Sequence, residues 1–236
     1  MSDPTTAFIR AQIRLAAVPF VSGIRLYQAA EPVGLWELAG GDYSSDRPPP
    51  FWAFAWAGGQ ALARYVIDHP DTVRGRRVLD LACGSGIVAV AAATAGAAAV
   101  HAVDVDPDAV RAVARNAAAN GVTVRTTLGD ILAGDAGDAE VVLVGDAFYS
   151  GAMADRVLRF LRRAARDGAR VLVGDPDRKF LPRRLFRPLR VYDVPTRPAL
   201  EDVPVKRTTI WELPAPAGLS GRPDSATDPD QSSSAQ

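Results

Sequence analysis

The sequence is poor in the residues that staple or metallate small proteins. It holds one cysteine, Cys83, and two histidines among 236 residues. A disulfide within the chain is excluded, and a cysteine-based zinc site or a histidine-rich catalytic metal centre lacks ligands. No metal is expected. The lone thiol suits a reducing cytoplasm. An excess of charge of either sign is missing too. Lys+Arg and Asp+Glu both number 27, a formal net charge of +0. No basic surplus advertises nucleic acid or an anionic membrane. No apolar run is long enough to span a bilayer. Met1-Ser2-Asp3-Pro4 has neither the basic start nor the apolar core of a secretory signal. These absences lead us to expect a cytoplasmic protein that binds neither membrane nor nucleic acid.

What is present suffices for one core: the chain is 48% hydrophobic. Phe8, Ile9, Ile13, Leu15 and Ala16 recur at roughly helical spacing and predict a helix over 5–18, capped by Thr5 or Thr6. A Pro- and Gly-rich stretch ends at Pro48-Pro49-Pro50. After Phe51–Gln60, residues Ala61 to Ile67 fit a helix that stops before Pro70. From Arg76 strand-like and helix-like segments alternate. Strands are expected at 77–81, 99–103, 122–128, 141–144 and 170–173, and helices at 87–95, 108–120 and 152–166. Such β then α units imply a mainly parallel sheet with right-handed crossovers. Leu189–Val194 and Thr208–Leu213, with no convincing helix between them, predict a terminal antiparallel pair. Residues 214–236, rich in Pro, Ser and Asp, read as a disordered tail. The expected organisation is an N-terminal extension with one helix over 1–50, a catalytic domain over 51–213, and that tail.

The main chemical signal is Val78-Leu79-Asp80-Leu81-Ala82-Cys83-Gly84-Ser85-Gly86. A buried strand runs into a turn with two glycines, and a helix follows. Glycine permits positive φ and close approach of a ligand, and the helix N-terminus offers free N–H groups. Alone, this pattern is weak, and a strand-to-helix turn without a ligand is its lesser alternative. The acids around it say more. Asp80 precedes the loop, Asp104 ends the second core strand, Asp130 follows the third and Asp146 the fourth. In a doubly wound sheet these positions share one edge, where ligands bind. Each acid has a plainer alternative: Asp104 and Asp106 as helix caps, Asp130 as a turn residue. Electrostatics selects among nucleotide ligands. A diphosphate would be repelled by Asp80, whereas S-adenosylmethionine presents a sulfonium, an ammonium group and ribose hydroxyls to an acidic crevice.

Val78–Gly86 with Asp104, and Asn116 in Arg115-Asn116-Ala117-Ala118-Ala119-Asn120-Gly121, resemble the signature of class I, seven-strand methyltransferases. Phe51–Gln60, Gly145-Asp146-Ala147-Phe148-Tyr149, Gly174-Asp175-Pro176 and Thr208-Thr209-Ile210-Trp211 narrow this. Together they resemble the electron transfer flavoprotein β-subunit lysine methyltransferases and their bacterial relatives, over about residues 50–213. The resemblance implies an α/β, Rossmann-like, seven-stranded and mostly parallel sheet, with helices on both faces and an antiparallel terminal strand. It implies S-adenosylmethionine as cofactor, held by Trp56, Gly58 and the Gly84–Gly86 loop, with Asp104 at ribose and Asp130 near adenine. We add Asp80 to that cofactor set. It implies activity through Asp146-Ala147-Phe148-Tyr149 on a protein lysine, of an electron transfer flavoprotein β subunit or a ribosomal protein.

Methyl transfer needs a neutral amine in line with the activated methyl, and free lysine has a pKa of about 10.4. Desolvation against Phe148, Tyr149 and Trp52 or Trp56 would favour the neutral form. Asp146 would orient the amine or take its proton through water, yet its charge would also favour the ammonium. For Trp52 and Phe54 packing is an equal alternative, and for Phe148 and Tyr149 it is the lesser one. Cys83, with no histidine near it in sequence, reads as a small loop residue and not a nucleophile. Three other functions stay open: a small-molecule N- or O-methyltransferase, a non-catalytic S-adenosylmethionine-binding module and, last, an NAD-dependent oxidoreductase. The arginines from Arg183 to Arg190 are either a docking surface for an acidic partner or a solvated face.

Overall fold

A computed structural model describes residues 12–29, 50–196 and 203–215. The elements are β1 (Ile13–Ala17), β2 (Arg25–Ala29), α1 (Ala57–Asp68), β3 (Arg77–Leu81), α2 (Ile87–Thr94), β4 (Ala99–Asp104), α3 (Pro107–Ala119), β5 (Arg125–Leu128), β6 (Val141–Gly145), α4 (Gly151–Arg166), β7 (Arg170–Asp175), β8 (Arg187–Pro195) and β9 (Val205–Leu213). Strands β3 to β9 form one seven-stranded sheet in the order β5-β4-β3-β6-β7-β9-β8. β3 to β7 pair in parallel; β9 runs antiparallel to both β7 and β8. The strand ends that carry Leu81, Asp104, Leu128, Gly145 and Asp175 therefore lie along one edge.

The strands read as continuous apolar runs because both faces are covered. Side chains alternate between two cores. Val78, Val141, Leu143 and Leu172 pack beneath α1, α2 and α3 with Leu62, Val66, Val88 and Val113. Leu79, Leu81, Val142, Val144, Val171 and Val173 pack under α4 with Val157, Phe160 and Leu161. α2 is apolar all round, and Ile87 to Ala92 are all buried. α3 is capped by Asp106, whose carboxylate accepts the Asp108 N–H, with Pro107 in its first turn. Ser150 caps α4, and Arg163 and Arg166 lie in its last turn, facing the negative end of the helix dipole.

The N-terminal extension corrects one expectation. Ile13–Ala17 is a strand, not the end of a helix, and it pairs antiparallel with β2 from Ile13↔Ala29 to Ala17↔Arg25. Pro19 and Gly23, with φ +84° at Gly23, shape the turn between them. The hairpin packs on α3, which supplies partners that periodicity does not report. The Asn116 Oδ1 accepts the Tyr27 N–H at 2.7 Å. The Asn120 side chain accepts the Arg25 N–H at 2.9 Å and donates to its carbonyl. Two asparagines thus satisfy the outer edge of β2 as a further strand would. The earlier part of the expected helix lies outside the described residues, as does nearly all of the expected tail.

Candidate active site

The glycine loop leaves β3 at the parallel edge. Gly86 is left-handed, with φ +76°, and a Cβ there would meet Val113 of α3 at 2.8 Å. Glycine is required on both counts. Gly84 is also left-handed, at φ +51°, but nothing lies within 4 Å of where its Cβ would be. That side of the loop is open. Asp104 ties the loop to β4: its carboxylate accepts the Gly84 N–H at 2.9 Å and the Asp106 N–H at 3.0 Å. Asn116, fully buried, donates to the Ser85 carbonyl at 2.8 Å. The asparagine that holds the N-terminal hairpin therefore also holds the glycine loop.

Two helices that begin at this edge lack a capping side chain of their own. The N-cap of α1 is Trp56 and that of α2 is Gly86. Each takes its cap from a distant strand end. Asp80, 1% exposed, accepts the Ala89 N–H of α2 at 2.9 Å. Asp146 accepts the Gly59 N–H of α1 at 2.8 Å. A carboxylate beside the positive end of a helix is favoured, but burial opposes charge. Desolvation pushes the Asp80 carboxyl up to about 8, against the pull of the Ala89 N–H and with help from Asp104. Asp106 is raised mainly by burial, partly by Asp104. Burial also pushes the Cys83 thiol up, and Asp80 and Asp104 push it further, so the thiol is no nucleophile.

Asp146 sits at the centre of the second half of the site. Its φ is +57°, rare for a residue with a side chain. Its N–H donates to the Gly174 carbonyl at 3.0 Å, and its other carboxylate oxygen accepts from Arg178 at 2.9 Å. Close approach of α1 makes this possible. A Cβ on Gly58 would fall 2.3 Å from the Gly174 oxygen and 2.6 Å from the Asp146 carboxylate, and one on Gly145 would fall 2.9 Å from Gly59. Gly58 thus meets a packing demand at the site, whatever ligand it touches. Beside Asp146 lies Asp175, wholly buried, whose carboxylate accepts the Arg178 N–H at 2.6 Å. Burial raises it to about 7, with Asp146 adding to the rise.

The aromatic residues divide. Tyr149 is 44% exposed, and its ring lies 6.2 Å from that of Phe51. Trp56 lies 5.8 Å from Phe51 and donates its indole N–H to the Phe51 carbonyl. It also lines a cavity of about 250 Å³ with Phe20 of the hairpin turn, Gln28 and Thr196. Phe148 does not belong to this surface. It is fully buried under α4, edge-on to Phe186 at 6.1 Å, which corrects its assignment as a catalytic residue to a packing one. Trp52 and Phe54 are likewise buried, against Ala109 and Ala112 of α3. Asp130 is exposed and ion-paired with Arg156 of α4, which lowers its pKa. Arg178 carries no motif of its own in the sequence, where the Gly174-Asp175-Pro176 segment two residues before it is the available signal, and Phe51 stands out only as the start of Phe51–Gln60.

The half of the site built from Asp80, Gly84 and Asp104 fits S-adenosylmethionine. Asp104 adds to the rise of the buried Asp80 carboxyl, an acidic surrounding that favours a cation and hydroxyl donors over a diphosphate, and the loop is open beside Gly84.

Residues 61–145 match the family model of ribosomal protein L11 methyltransferase (PrmA). The electron transfer flavoprotein beta subunit lysine methyltransferase of Xenopus laevis is 39% identical over 170 residues, 70% of this chain and 69% of that protein. That of Danio rerio is 36% identical, over 70% of this chain and 66% of its own. The chain thus spans about two thirds of these relatives. The fold is shared with the ribosomal protein L11 methylase of Lactobacillus delbrueckii subsp. bulgaricus. The TM-score is 0.50 at 19% identity, over 72% of this chain and 91% of that one. Fold and site define a class I methyltransferase that uses S-adenosylmethionine. The chain belongs to the electron transfer flavoprotein beta subunit lysine methyltransferase family.

Proposed function

We propose that the enzyme methylates a lysine side chain of the electron transfer flavoprotein β subunit, with Asp146 and Tyr149 at the acceptor. The observation that carries this is the placement of Asp146, in its Asp-x-Phe-Tyr segment, at the N-terminus of α1 beside an exposed aromatic rim. The 39% identical relative names that acceptor. Trp56, Gly58, Asp80, Gly84, Gly86 and Asp104 serve the cofactor, with Asp130 at its adenine end. Neither nucleic acid nor membrane is a partner. The compartment is the cytoplasm, in keeping with the single thiol; among the described residues no helix is long and apolar enough to cross a membrane.

S-adenosylmethionine supplies an activated methyl when bound. Asp104, fixed by two backbone N–H groups, keeps lone pairs for ribose hydroxyls. Asp146 hydrogen-bonds the acceptor nitrogen and aims its lone pair, a gain in positioning. Tyr149, Phe51 and Trp56 exclude water around the lysine stem and favour its neutral form. The ammonium proton leaves to solvent before attack. With S-adenosylmethionine bound, the nitrogen lone pair held by Asp146 would be placed to take the methyl, and the cofactor would supply the sulfur that keeps the electron pair of the broken bond.

A ribosomal protein is the second reading, favoured by the match of residues 61–145 to the L11 methyltransferase model. The test is transfer of labelled methyl to purified electron transfer flavoprotein, to ribosomal protein L11 and to cell extract, with Asp146→Ala as control. Label on a lysine of the β subunit, lost with the variant, is expected. Label on L11 alone selects the second reading, and label confined to small molecules rejects both.

A further inference from the structure

Arg178 touches both carboxylates of the acceptor side, the half-buried Asp146 and the buried Asp175. Its guanidinium donates to Asp146 at 2.9 Å, with side-chain exposures of only 24% and 12%. Its backbone N–H donates to Asp175 at 2.6 Å. Asp175 is wholly buried, and among the described residues its second oxygen has no hydrogen-bond partner. A wholly buried carboxyl that forms the turn from β7 to Arg178 is a costly way to place one arginine. The turn strains the backbone as well, with φ +70° at Asp177.

The placement resolves a conflict in the chemistry. An isolated carboxylate beside the acceptor would orient the amine but hold it as an ammonium. Asp146 is not isolated. One oxygen faces the N-terminus of α1 and the other a guanidinium, so its charge is met on both sides. We propose that Arg178 is a positioning residue for methyl transfer: by pairing with Asp146 it fixes the carboxylate and cancels its charge, so that the acceptor lysine meets a hydrogen-bond acceptor without a net negative field. The inference rests on the lysine-acceptor reading above. Charged and titratable groups that face Asp146 include Asp175 at the end of β7 and Arg178 beyond it. The first turn of α1 carries no acidic side chain.

The experiment is the pH dependence of kcat, whose acidic limb reports groups of the bound complex, for full-length wild type, Arg178→Met, Arg178→Lys and Asp146→Asn on the methylated acceptor. In Arg178→Met the carboxylate loses its cationic partner and keeps the N-terminus of α1, and the limb should move up by about one pH unit. That is roughly a tenfold loss below the limb, with near recovery on the alkaline plateau. Arg178→Lys keeps the charge and should leave the limb within a few tenths of a unit. Asp146→Asn removes the carboxylate's negative charge and should move the limb down while lowering the plateau; it carries the test if Arg178→Met fails to fold. A uniform loss at every pH in Arg178→Met, or an unmoved limb in Asp146→Asn, overturns the inference. Absence of transfer by the wild type to any protein overturns the lysine-acceptor reading itself.

Discussion

Phe148 and Tyr149 are adjacent, both aromatic, and both follow a buried strand, so the sequence offers no basis for separating them. The chain does so by turning at Asp146, where positive φ reverses the alternation that β6 would have continued. One ring enters the core under α4 and the other faces out. Phe148→Ala should cost about 3–5 kcal/mol of stability, as an emptied core site does. Tyr149→Ala should leave the denaturation midpoint nearly unchanged and reduce methyl transfer by tenfold or more. Urea unfolding and the transfer assay on both variants check this; equal losses of stability would reject the division. Gly58 poses a similar problem. As part of a motif it reads as a ligand contact, but its neighbours show a backbone that must come within reach of Gly174 and Asp146. Gly58→Ala should destabilise by about 1–3 kcal/mol through overpacking and displace the Asp146 carboxylate. Activity should therefore fall even where the variant remains folded. An active, fully stable Gly58→Ala protein would show that α1 can back away.

The elements from β3 to β7 were legible because their signals are local. Apolar runs of strand length alternate with periodic helices, and Asp106-Pro107 marks a helix start. Three things were not legible, for one physical reason: they depend on partners far away in sequence. Strand β1 looks helical in the sequence because Ile13, Leu15 and Ala16 fit a helical spacing about as well as an edge strand. What decides is pairing with β2 and the asparagines of α3. The caps of α1 and α2 cannot be read at Trp56 and Gly86, since they come from Asp146 and Asp80. The role of Asn116 was recognised as part of a pattern, but its physics is a bridge from the hairpin to the glycine loop. Asn116→Ala strands the Tyr27 N–H and the Ser85 carbonyl, a loss of about 1–3 kcal/mol. Hydrogen exchange should then speed up at residues 25–29 and in the Gly84–Gly86 loop together, while β6 and β7 stay protected. Exchange confined to the hairpin would mean that the two are not coupled.

Across the whole molecule, parallel strands bring the acids of one sheet edge together, and the shared negative field has a thermodynamic consequence. Asp80 and Asp175 are buried without a full countercharge, at about 8 and about 7 against an ordinary 3.8. In the folded state they keep protons that the unfolded chain releases from about pH 4 upward. Folding stability from these two groups is therefore fully present below pH 4 and lost as pH rises through 7 and 8. Asp130 and Glu212, lowered by Arg156 and by Arg187 with Arg170, act the other way, but only as pH falls through their own lower values. The cofactor-free protein should accordingly lose stability steadily between pH 5 and pH 8, as measured by urea unfolding. Asp80→Asn combined with Asp175→Asn should flatten that decline. Binding of cationic S-adenosylmethionine beside Asp80, as proposed above, would favour the ionised carboxylate, so at saturation it should raise the melting temperature more at pH 8 than at pH 5. That difference should vanish in Asp80→Asn, because the proton whose release tightens binding is no longer there. Stability that rises from pH 5 to pH 8, or a cofactor effect that ignores pH, would mean that solvent or backbone reaches Asp80 and satisfies its charge before any ligand does.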